Sequence, residues 1–229
     1  MSKKYELTST KNSPGLYQIK ALRSFGDVRQ GDLGGFIESE MNLSQEGNSW
    51  VYDNAWVYGN ARVSCNAGVS DDAKVFGDAQ VYGDAWVSGN AWVSGNARVF
   101  DNAGVSDNAR AYGNARASDN AQVFDNAKVS GNAKVFGNAR VYGDVEVSGN
   151  AWVSSNAKIS HKLDVLNITN LKYNLTITPE HVFGGCRVFT HKEFEDLTLD
   201  GCHDKTWTQE ELDACKFTIQ LFKKMQKLK

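Results

Sequence analysis

Proline is nearly absent from this chain, which has two in 229 residues, Pro14 and Pro179, and none in the long stretch between them. No apolar run approaches the ~20 residues that a membrane-spanning helix needs. The N-terminus lacks the apolar core of a secretory signal, so we expect a cytoplasmic protein. Four cysteines are too few for a disulfide framework at this length and are expected to be reduced thiols. The formal net charge of −2 gives no bulk-charge argument for nucleic-acid binding.

What the chain has in abundance is a six-residue repeat. From Val51 to Asn156 an apolar residue opens each unit, Asn or Asp stands fourth, and Ala stands fifth in every unit but one. This period suits a short strand followed by a two-residue corner, with the Ala and the opening residue inside and the two variable positions outside. The corner favours Gly, Asn or Asp because it requires a positive φ. Three such units close a coil of 18 residues, and the coils stack as parallel sheets.

The sequence therefore predicts a mainly β protein built on a parallel β-helix of about seven coils. The β-helix is expected over residues 33–164, with the six-residue phase extended back from Val51 to Leu33. Residues 1–32 are expected to form a small β cap at the N-terminal end. Residues 165–229 are expected to form a small α+β cap at the other end, because bare sheet edges must be covered.

The C-terminal cap is expected to contain three strands and a final amphipathic helix. The last of the three strands is predicted at Val182–Phe189. Thr208 and Glu211 form a capping box at the start of the helix. The apolar stripe of the helix is predicted to pack on the small sheet or to form a subunit contact, and it consists of Leu212, Cys215, Ile219, Phe222 and Met225.

Two segments carry a family resemblance. The run from Leu22 to Ser44, followed by Gly-Asn-Ala-Trp/Arg-Val units, resembles a group of hexapeptide-repeat proteins found in bacteria and especially in phages and prophages. The run Gly185–Phe194 is similar to a tail segment of the phage members. The resemblance implies a left-handed coil and a homotrimer. The wider group includes acyltransferases and γ-class carbonic anhydrases, but fold-level analogy does not assign a function.

The histidines argue against an enzyme of either kind. Acyltransferases of this group use a His on one of the coils as general base. The four histidines of this chain are His161, His181, His191 and His203, and none of them lies on a coil before the last. No unit between Val51 and Ser160 gains or loses a residue, so no loop can wall off an acyl-CoA tunnel. No catalytic residue, metal site or cofactor is therefore predicted, and the Cys and His residues of the C-terminal region are expected to be structural, since they match no zinc-ligand spacing.

The outward positions fall into three columns of side chains, which we call faces one, two and three. Face one begins at Trp50, face two at Trp56 and face three at Arg62. On face one, Trp lies next to glycine notches at every second coil, and face two also carries Trp. Exposed Trp and Tyr at this density favour an interface, with self-association as the simpler interpretation. The residues predicted to form this interface are Trp50, Trp56, Gly68, Trp86, Trp92 and Gly104.

Face three carries stacked cations beside aromatic rings. Like charges one coil apart repel, unless they alternate in direction, pair with the corner carboxylates of Asp101 and Asp119, or bind an anion. The first two explanations make this a solvated face. The third predicts an anion-binding site with base-stacking rings, formed by Arg62, Tyr82, Arg98, Phe100, Arg116, Lys134 and Phe136.

These features lead to three functional hypotheses. The first is a non-enzymatic phage or prophage protein that counters host defence by sequestering an anionic, nucleotide-type signalling ligand, such as a cyclic nucleotide or an ADP-ribose derivative. The second is a protein-binding inhibitor of a host defence enzyme that acts through the aromatic faces. The third is a divergent hexapeptide acyltransferase. Neither a membrane nor a nucleic acid is an expected partner.

Overall fold

The computed structural model describes residues 3–168, 175–184, 187–202 and 207–227. Within them the chain is a parallel β-solenoid of about seven coils with a β region before it and a small α+β region after it. The strands, in chain order, are β1 Tyr5–Lys11, β2 Tyr17–Ala21, β3 Leu33–Ile37, β4 Trp50–Val51, β5 Trp56–Val57, β6 Arg62–Val63, β7 Gly68–Val69, β8 Lys74–Val75, β9 Gln80–Val81, β10 Trp86–Val87, β11 Trp92–Val93, β12 Arg98–Val99, β13 Gly104–Val105, β14 Arg110–Ala111, β15 Arg116–Ala117, β16 Gln122–Val123, β17 Lys128–Val129, β18 Lys134–Val135, β19 Arg140–Val141, β20 Glu146–Val147, β21 Trp152–Val153, β22 Lys158–Ile159, β23 Leu166–Ile168, β24 Leu175–Ile177, β25 His181–Gly184 and β26 Arg187–Thr190. The helices are α1 His191–Glu195 and α2 Gln209–Gln226, and 3₁₀ turns lie at Glu40–Asn42, Lys162–Asp164 and Leu199–Gly201.

Each face of the solenoid is a parallel sheet whose strands lie 18 residues apart in sequence. Face one contains β4, β7, β10, β13, β16, β19 and β22 in that order. Face two runs from β5 to β20 and face three from β6 to β21, so the sorting of the outward side chains into three columns is confirmed. The opening residue and the Ala of each unit are buried from Val51 to Ile159, which forms one continuous core.

The corners combine positive φ angles with ladders of amide hydrogen bonds that connect successive coils. The third residue of every unit from Asp53 to Ser155 has a positive φ, as predicted. The amide of the fourth residue hydrogen-bonds to its equivalent one coil on, as in Asn114 Nδ2 to Asn132 Oδ1 at 2.9 Å. Such ladders run along all three corners, so each coil is tied to the next by side chains as well as by the sheet.

The first coil departs from the predicted phase. Ile37 pairs with Val57 and Leu43 with Val63, twenty residues on, whereas Val51 pairs with Val69 after eighteen. Two extra residues therefore lie between Leu43 and Val51, and Ile37 and Leu43 take the inward positions. The prediction of an unbroken phase back to Leu33 was wrong, and Leu33 is 59% exposed.

Both ends of the solenoid are covered. At the N-terminal end β1, β2 and β3 form an antiparallel sheet, and β3 pairs in parallel with β5, so this sheet continues face two. At the C-terminal end β23 to β26 form a four-stranded antiparallel sheet. Thr176 Oγ1 accepts a hydrogen bond from the backbone N–H of Trp152, whose strand β21 is the last of face three among the described residues. The side chain of Asn167 donates to the carbonyl of Ser148 in the same way.

The C-terminal helix packs as the capping box and apolar stripe predict. Thr208 Oγ1 accepts from the N–H of Glu211, whose carboxylate accepts from the N–H of Thr208. The stripe residues from Leu212 to Phe222 are buried against the sheet, while Met225 is only half-buried. The single strand predicted at Val182–Phe189 was wrong, since β25 and β26 are separate strands that pair with each other antiparallel. Residues 185–186 lie outside the described part.

Candidate functional site

The cations of face three form an unbroken column over three coils. Arg98 pairs in register with Arg116, and Arg116 with Lys134, so their side chains leave the sheet about 4.8 Å apart. Arg98 and Arg116 are exposed, while Lys134 lies against the ring of Trp152 with Nζ 4.3 Å from the ring centroid. Arg62 lies apart from the column, because Gln80 occupies the coil between it and Arg98.

No carboxylate of the described residues forms an ion pair with this column. The sequence left open a pairing with corner aspartates, but Asp119 Oδ2 accepts a hydrogen bond from the N–H of Gly137 at 2.9 Å, and Asp101 Oδ2 accepts from the N–H of Asp119 at 3.4 Å. Within the described residues no ion pair reaches Arg98, Arg116 or Lys134. Corner pairing therefore does not explain why like charges are stacked here, and an anion remains an available counter-charge.

The aromatic column beside these cations has one position without a ring. Tyr82 and Phe100, on successive coils, stack with centroids 5.1 Å apart and planes 5° from parallel. The next coil carries Ser118, and the coil after that carries Phe136, which meets Trp152 edge-on. Stacked pairs elsewhere have the same spacing, such as Phe124 and Tyr142 at 5.0 Å. The coil spacing thus sets a ring-stacking distance, and the Ser118 level is a gap one ring high, which we call the Ser118 slot.

Face two carries a ladder of alternating aromatic and cationic side chains that sequence reasoning did not identify as a site. Lys74 Nζ lies 4.2 Å from the ring centroid of Trp56 and 5.6 Å from that of Trp92, and the Arg110 guanidinium lies 4.6 Å from Trp92. These contacts hold both cations against indole faces, each worth about 0.5–1 kcal/mol at an exposed position. The order Trp, Lys, Trp, Arg at 18-residue intervals was visible in the sequence.

The face-two ladder forms the floor of a groove with a volume of about 640 Å³. The turn between β1 and β2 contributes Asn12 and Ser13 to its lining, and the opposite wall is the corner from Asn54 to Asn108. No sequence pattern showed that this turn would lie beside face two, so the groove depends on tertiary structure.

The predicted interface residues of face one do not form one displayed ridge. Trp50 is 1% exposed, because it packs edge-on against Tyr5 and Phe25 beneath the N-terminal strands, so its prediction as a surface residue was wrong. Gly68 is not an open notch, because a Cβ there would lie 2.1 Å from the ring of Trp86. Trp86 is 41% exposed, and Gly104 has no atom within 4 Å of a Cβ position.

The remaining two interface residues are on face two. Trp92 is 38% exposed and Trp56 is half-buried, and both belong to the ladder described above. The six predicted interface residues therefore fall into three groups. Trp50 and Gly68 are buried on face one, Trp86 is an exposed knob beside the open hollow at Gly104 on the same face, and Trp56 and Trp92 belong to a groove floor on face two.

The C-terminal Cys and His residues form no metal cluster in the described part of the chain. His191 Nε2 is hydrogen-bonded to the carbonyl of Thr178 at 2.7 Å, and burial lowers the pKa of this imidazole. Cys202 and Cys215 are buried free thiols, and burial raises the pKa of Cys215 to about 11. Cys65 is an exposed free thiol at a corner. Cys186 and His203 lie outside the described residues.

The repeat is found in known proteins. Residues 79–95 and 91–107 match the family described as YdcK Beta solenoid repeat. Among curated proteins, this chain is similar to one from Escherichia coli (strain K12) that is named "Uncharacterized acetyltransferase YdcK", with 47% identity over 49 residues. The repeat and the solenoid fit a hexapeptide-repeat β-helix family. The match covers 21% of this chain and 15% of the relative, so it does not extend to the whole of either protein.

No helix among the described residues is long and apolar enough to cross a bilayer.

Proposed function

We propose that this protein is a non-catalytic binding protein that holds an anionic ligand bearing a planar ring, of the nucleotide type, on face three. The observation that carries the proposal is the Ser118 slot beside three cations that form no ion pair with a carboxylate in the described part of the chain. A phosphate or other anion supplies the missing counter-charge, and a base supplies the missing ring.

The anionic group and the planar ring of such a ligand are expected to contact two neighbouring outward positions at the end of strand β15. Arg116 and Ser118 are two residues apart and both point outward, so a ring in the slot lies beside the Arg116 guanidinium. Arg98 and Lys134 flank that guanidinium one coil to either side, and Phe100 and Phe136 flank the ring. Base stacking on an aromatic side chain contributes about 1–3 kcal/mol. Arg donates two parallel hydrogen bonds to a phosphate.

The ends of face three extend this site. Tyr82 continues the stack below Phe100, and Arg62 adds a cation two coils below Arg98. A second phosphate on the same ligand reaches this part of the face. Cyclic dinucleotides and ADP-ribose derivatives, which combine two anionic groups with planar bases, are therefore the first ligands to test.

The absence of histidine from the coils supports a binding role over catalysis. The chain from Val51 to Ile159 contains no His and keeps a strict six-residue period. A general base for acyl transfer is most often a His within hydrogen-bond reach of the nucleophile's proton. His161 follows the last coil, and its Nδ1 accepts a hydrogen bond from the N–H of Leu163.

The test is calorimetric titration with cyclic dinucleotides and ADP-ribose. We expect the wild-type protein to bind at least one of them, and Arg116→Ala and Ser118→Phe each to weaken binding at least tenfold. The Ser118→Phe variant fills the slot with the protein's own ring, so it is expected to fold. Ser94→Phe is the matched control, because Ser94 also lies between two aromatic residues, Phe76 and Tyr112, but on face two.

Two results contradict the proposal. The first is an absence of binding to all of these ligands by the wild-type protein. The second is binding that Ser94→Phe weakens as much as Ser118→Phe does, which places the ligand elsewhere.

Acetyl transfer is the second candidate, favoured by the name of the E. coli relative. Its test is the release of free coenzyme A from acetyl-CoA in the presence of amine and hydroxyl acceptors. Turnover that persists after purification to homogeneity would replace the binding proposal. A lack of turnover together with ligand binding on face three supports the first candidate.

The biological setting remains a prediction from sequence. A counter-defence role in a phage or prophage is the setting in which sequestration of a nucleotide signal has a use. The protein-inhibitor alternative predicts capture of a host enzyme that depends on Trp86 and Trp92. The family resemblance implies a homotrimer, whereas the surface of face one supports the dimer argued below. Native mass spectrometry of the purified protein counts the subunits and also detects a co-purified ligand.

A further inference from the structure

We propose that two copies of this chain associate antiparallel through face one, with Trp86 of each copy seated in the hollow beside Gly104 of the other. The proposal is independent of the function proposed for face three. It rests on the surface shape of face one, on the lack of charged side chains at its centre and on the opposite charges at its two ends.

The surface of face one has a protruding ring, the Trp86 knob, next to a hollow at Gly104. The ring of Trp86 lies over Gly68 and stands out of the face, and it packs against Tyr52 with centroids 5.5 Å apart. On the next coil Gly104 has open space where a side chain would be. A hollow of about 210 Å³ lies there, lined by Gly104, Ser106, Asp107, Gln122, Phe124 and Arg140.

A knob and a hollow on adjacent coils are self-complementary under one two-fold axis. The axis lies in the contact plane, perpendicular to the solenoid, and passes between the coils of Trp86 and Gly104. It exchanges these two coils and also places the coil of Gly68 opposite that of Gln122. Because the Trp86 ring covers the Gly68 level, it meets the hollow between Gly104 and Gln122. An isologous contact of this kind fills both hollows at once.

Charge selects face one among the three faces. From Gly68 to Phe124 its outward positions are Gly, Ser, Trp, Gln and Phe, with no charged side chain. Face three carries Arg98, Arg116 and Lys134 on adjacent coils, and face two carries Lys74 and Arg110, so either of them meeting its own copy would place cations against cations.

The ends of face one carry opposite charges. The same axis places the coil of Arg140 opposite the coil of Tyr52, whose hydroxyl donates to Asp27 at 2.7 Å and whose neighbour is Asp53. Arg140 of each copy thus faces carboxylates of the other. A parallel arrangement would instead place each Arg140 level with the other copy's Arg140. The contact therefore favours the antiparallel orientation.

The size of the face predicts a modest affinity. Seven coils make a face roughly 30 Å long and about 15 Å wide, so its area of about 450 Å² is below the ~800 Å² per partner of a standard interface. Self-association should therefore be measured over a wide range of protein concentration.

Sedimentation velocity of the full chain tests the proposal with a knob-and-hole exchange. Gly104→Trp places a knob where the partner's knob must enter, and Trp86→Gly removes the knob. Each variant alone is expected to dissociate the dimer or to raise its dissociation constant at least tenfold. An equimolar mixture of the two is expected to restore it, because the knobs of one copy then meet the hollows of the other. Trp92→Gly, at a comparable exposure on face two, is expected to leave the dimer intact.

Circular dichroism of each variant confirms folding before the mixture is measured. The proposal is overturned by a wild-type protein that is monomeric at every concentration or trimeric. It is also overturned by a dimer that both variants leave unchanged, or by a mixture in which association does not return.

Discussion

At the scale of single residues, the conformation of the corner explains why Gly and Asp recur along the chain. The corner from Gly59 to Gly149 carries Gly in every coil, and all of these have a positive φ. The other two corners also use Asp, whose side chain caps the coil above, as when Asp71 Oδ2 accepts from the N–H of Gly89 at 2.9 Å. Asp thus compensates for a strained φ with a hydrogen bond, whereas Gly has no strain to offset.

Two glycines of that corner test the strain and the stacking separately. Gly131 and Gly149 have φ of 64° and 66°, but a Cβ on Gly131 would lie 3.0 Å from backbone atoms of Gly149, while one on Gly149 meets nothing within 4 Å. Gly149→Ala is expected to lower the free energy of unfolding by about 1–2 kcal/mol, the cost of the left-handed conformation. Gly131→Ala is expected to cost more, because the coils must also shift. Urea unfolding of the two variants checks this, and equal losses would contradict it.

At the scale of elements, the N-terminal strands act as a lid on the first coil. Lys4 is fully buried, and its Nζ donates to the carbonyl of Ser49 at 2.8 Å. Tyr5 is also buried and donates to the carbonyl of Leu43 at 2.7 Å. Trp50 lies beneath them. The lid therefore covers the coil edge with side-chain donors as well as with apolar surface.

Because Lys4 is buried in this lid, we expect the free energy of unfolding to depend on pH in the alkaline range. Burial, with a smaller contribution from the charge of Arg23, lowers the pKa of Lys4 from 10.5 to about 8. Above pH 8 the folded chain has lost this proton while the unfolded chain keeps it, so stability rises with pH by at most about 1.4 kcal/mol per unit. Burial raises the pKa of Cys215 from 9.0 to about 11 and raises that of Tyr5 above its ordinary 10.0. The unfolded thiol and phenol ionise first, so these groups lower stability above pH 9 and pH 10, respectively.

Thermal unfolding followed from pH 7 to pH 11 is therefore expected to show a maximum in melting temperature near pH 9. Lys4→Met is the matched variant, because it keeps the buried stem without the amine and should lose the rise between pH 8 and 9. A melting temperature that falls steadily from pH 7 in the wild-type protein would contradict the assignment to Lys4.

At the scale of the whole molecule, the solenoid is a one-dimensional stack. Each coil contacts only the coils above and below, so its stability is close to a sum of coil and nearest-neighbour contributions. The 18-residue period keeps each face in register along the rod. A change of length is then tolerated only if it preserves the six-residue phase, because a half-unit shift moves the inward side chains to the outside.

Deletions of different length test this stacking. Removal of residues 108–125, a whole coil, is expected to leave a folded solenoid with a melting temperature within several degrees of the wild-type value. Removal of residues 108–116 shifts the phase by three and is expected to abolish cooperative unfolding. Far-UV circular dichroism with thermal melting distinguishes the two. The shorter solenoid brings Phe136 directly next to Phe100, so it should also lose any ligand that enters the Ser118 slot.

The repeat predicted the coil, its three faces and the caps, but not the register of the first coil. Ile37 and Leu43 are apolar and fit the inward column. The repeat before Val51 is too weak, however, for the two additional residues to be recognised from the sequence. Trp50 follows the outward pattern in sequence, and only the packing of Tyr5 and Phe25 over it shows that it is buried.

The sequence by itself determined everything that repeats: which side chains point inward, which corners need a positive φ and which cations share a face. These are local consequences of a six-residue period, so they need no knowledge of distant contacts. The tertiary structure decided what does not repeat: the N-terminal lid over Trp50, the groove beside face two, the Trp86 ring over Gly68 and the carboxylates that cap backbone instead of pairing with arginine. Each of these depends on side chains from different coils or from a cap meeting in space, where packing and hydrogen-bond competition, not periodicity, select the partner.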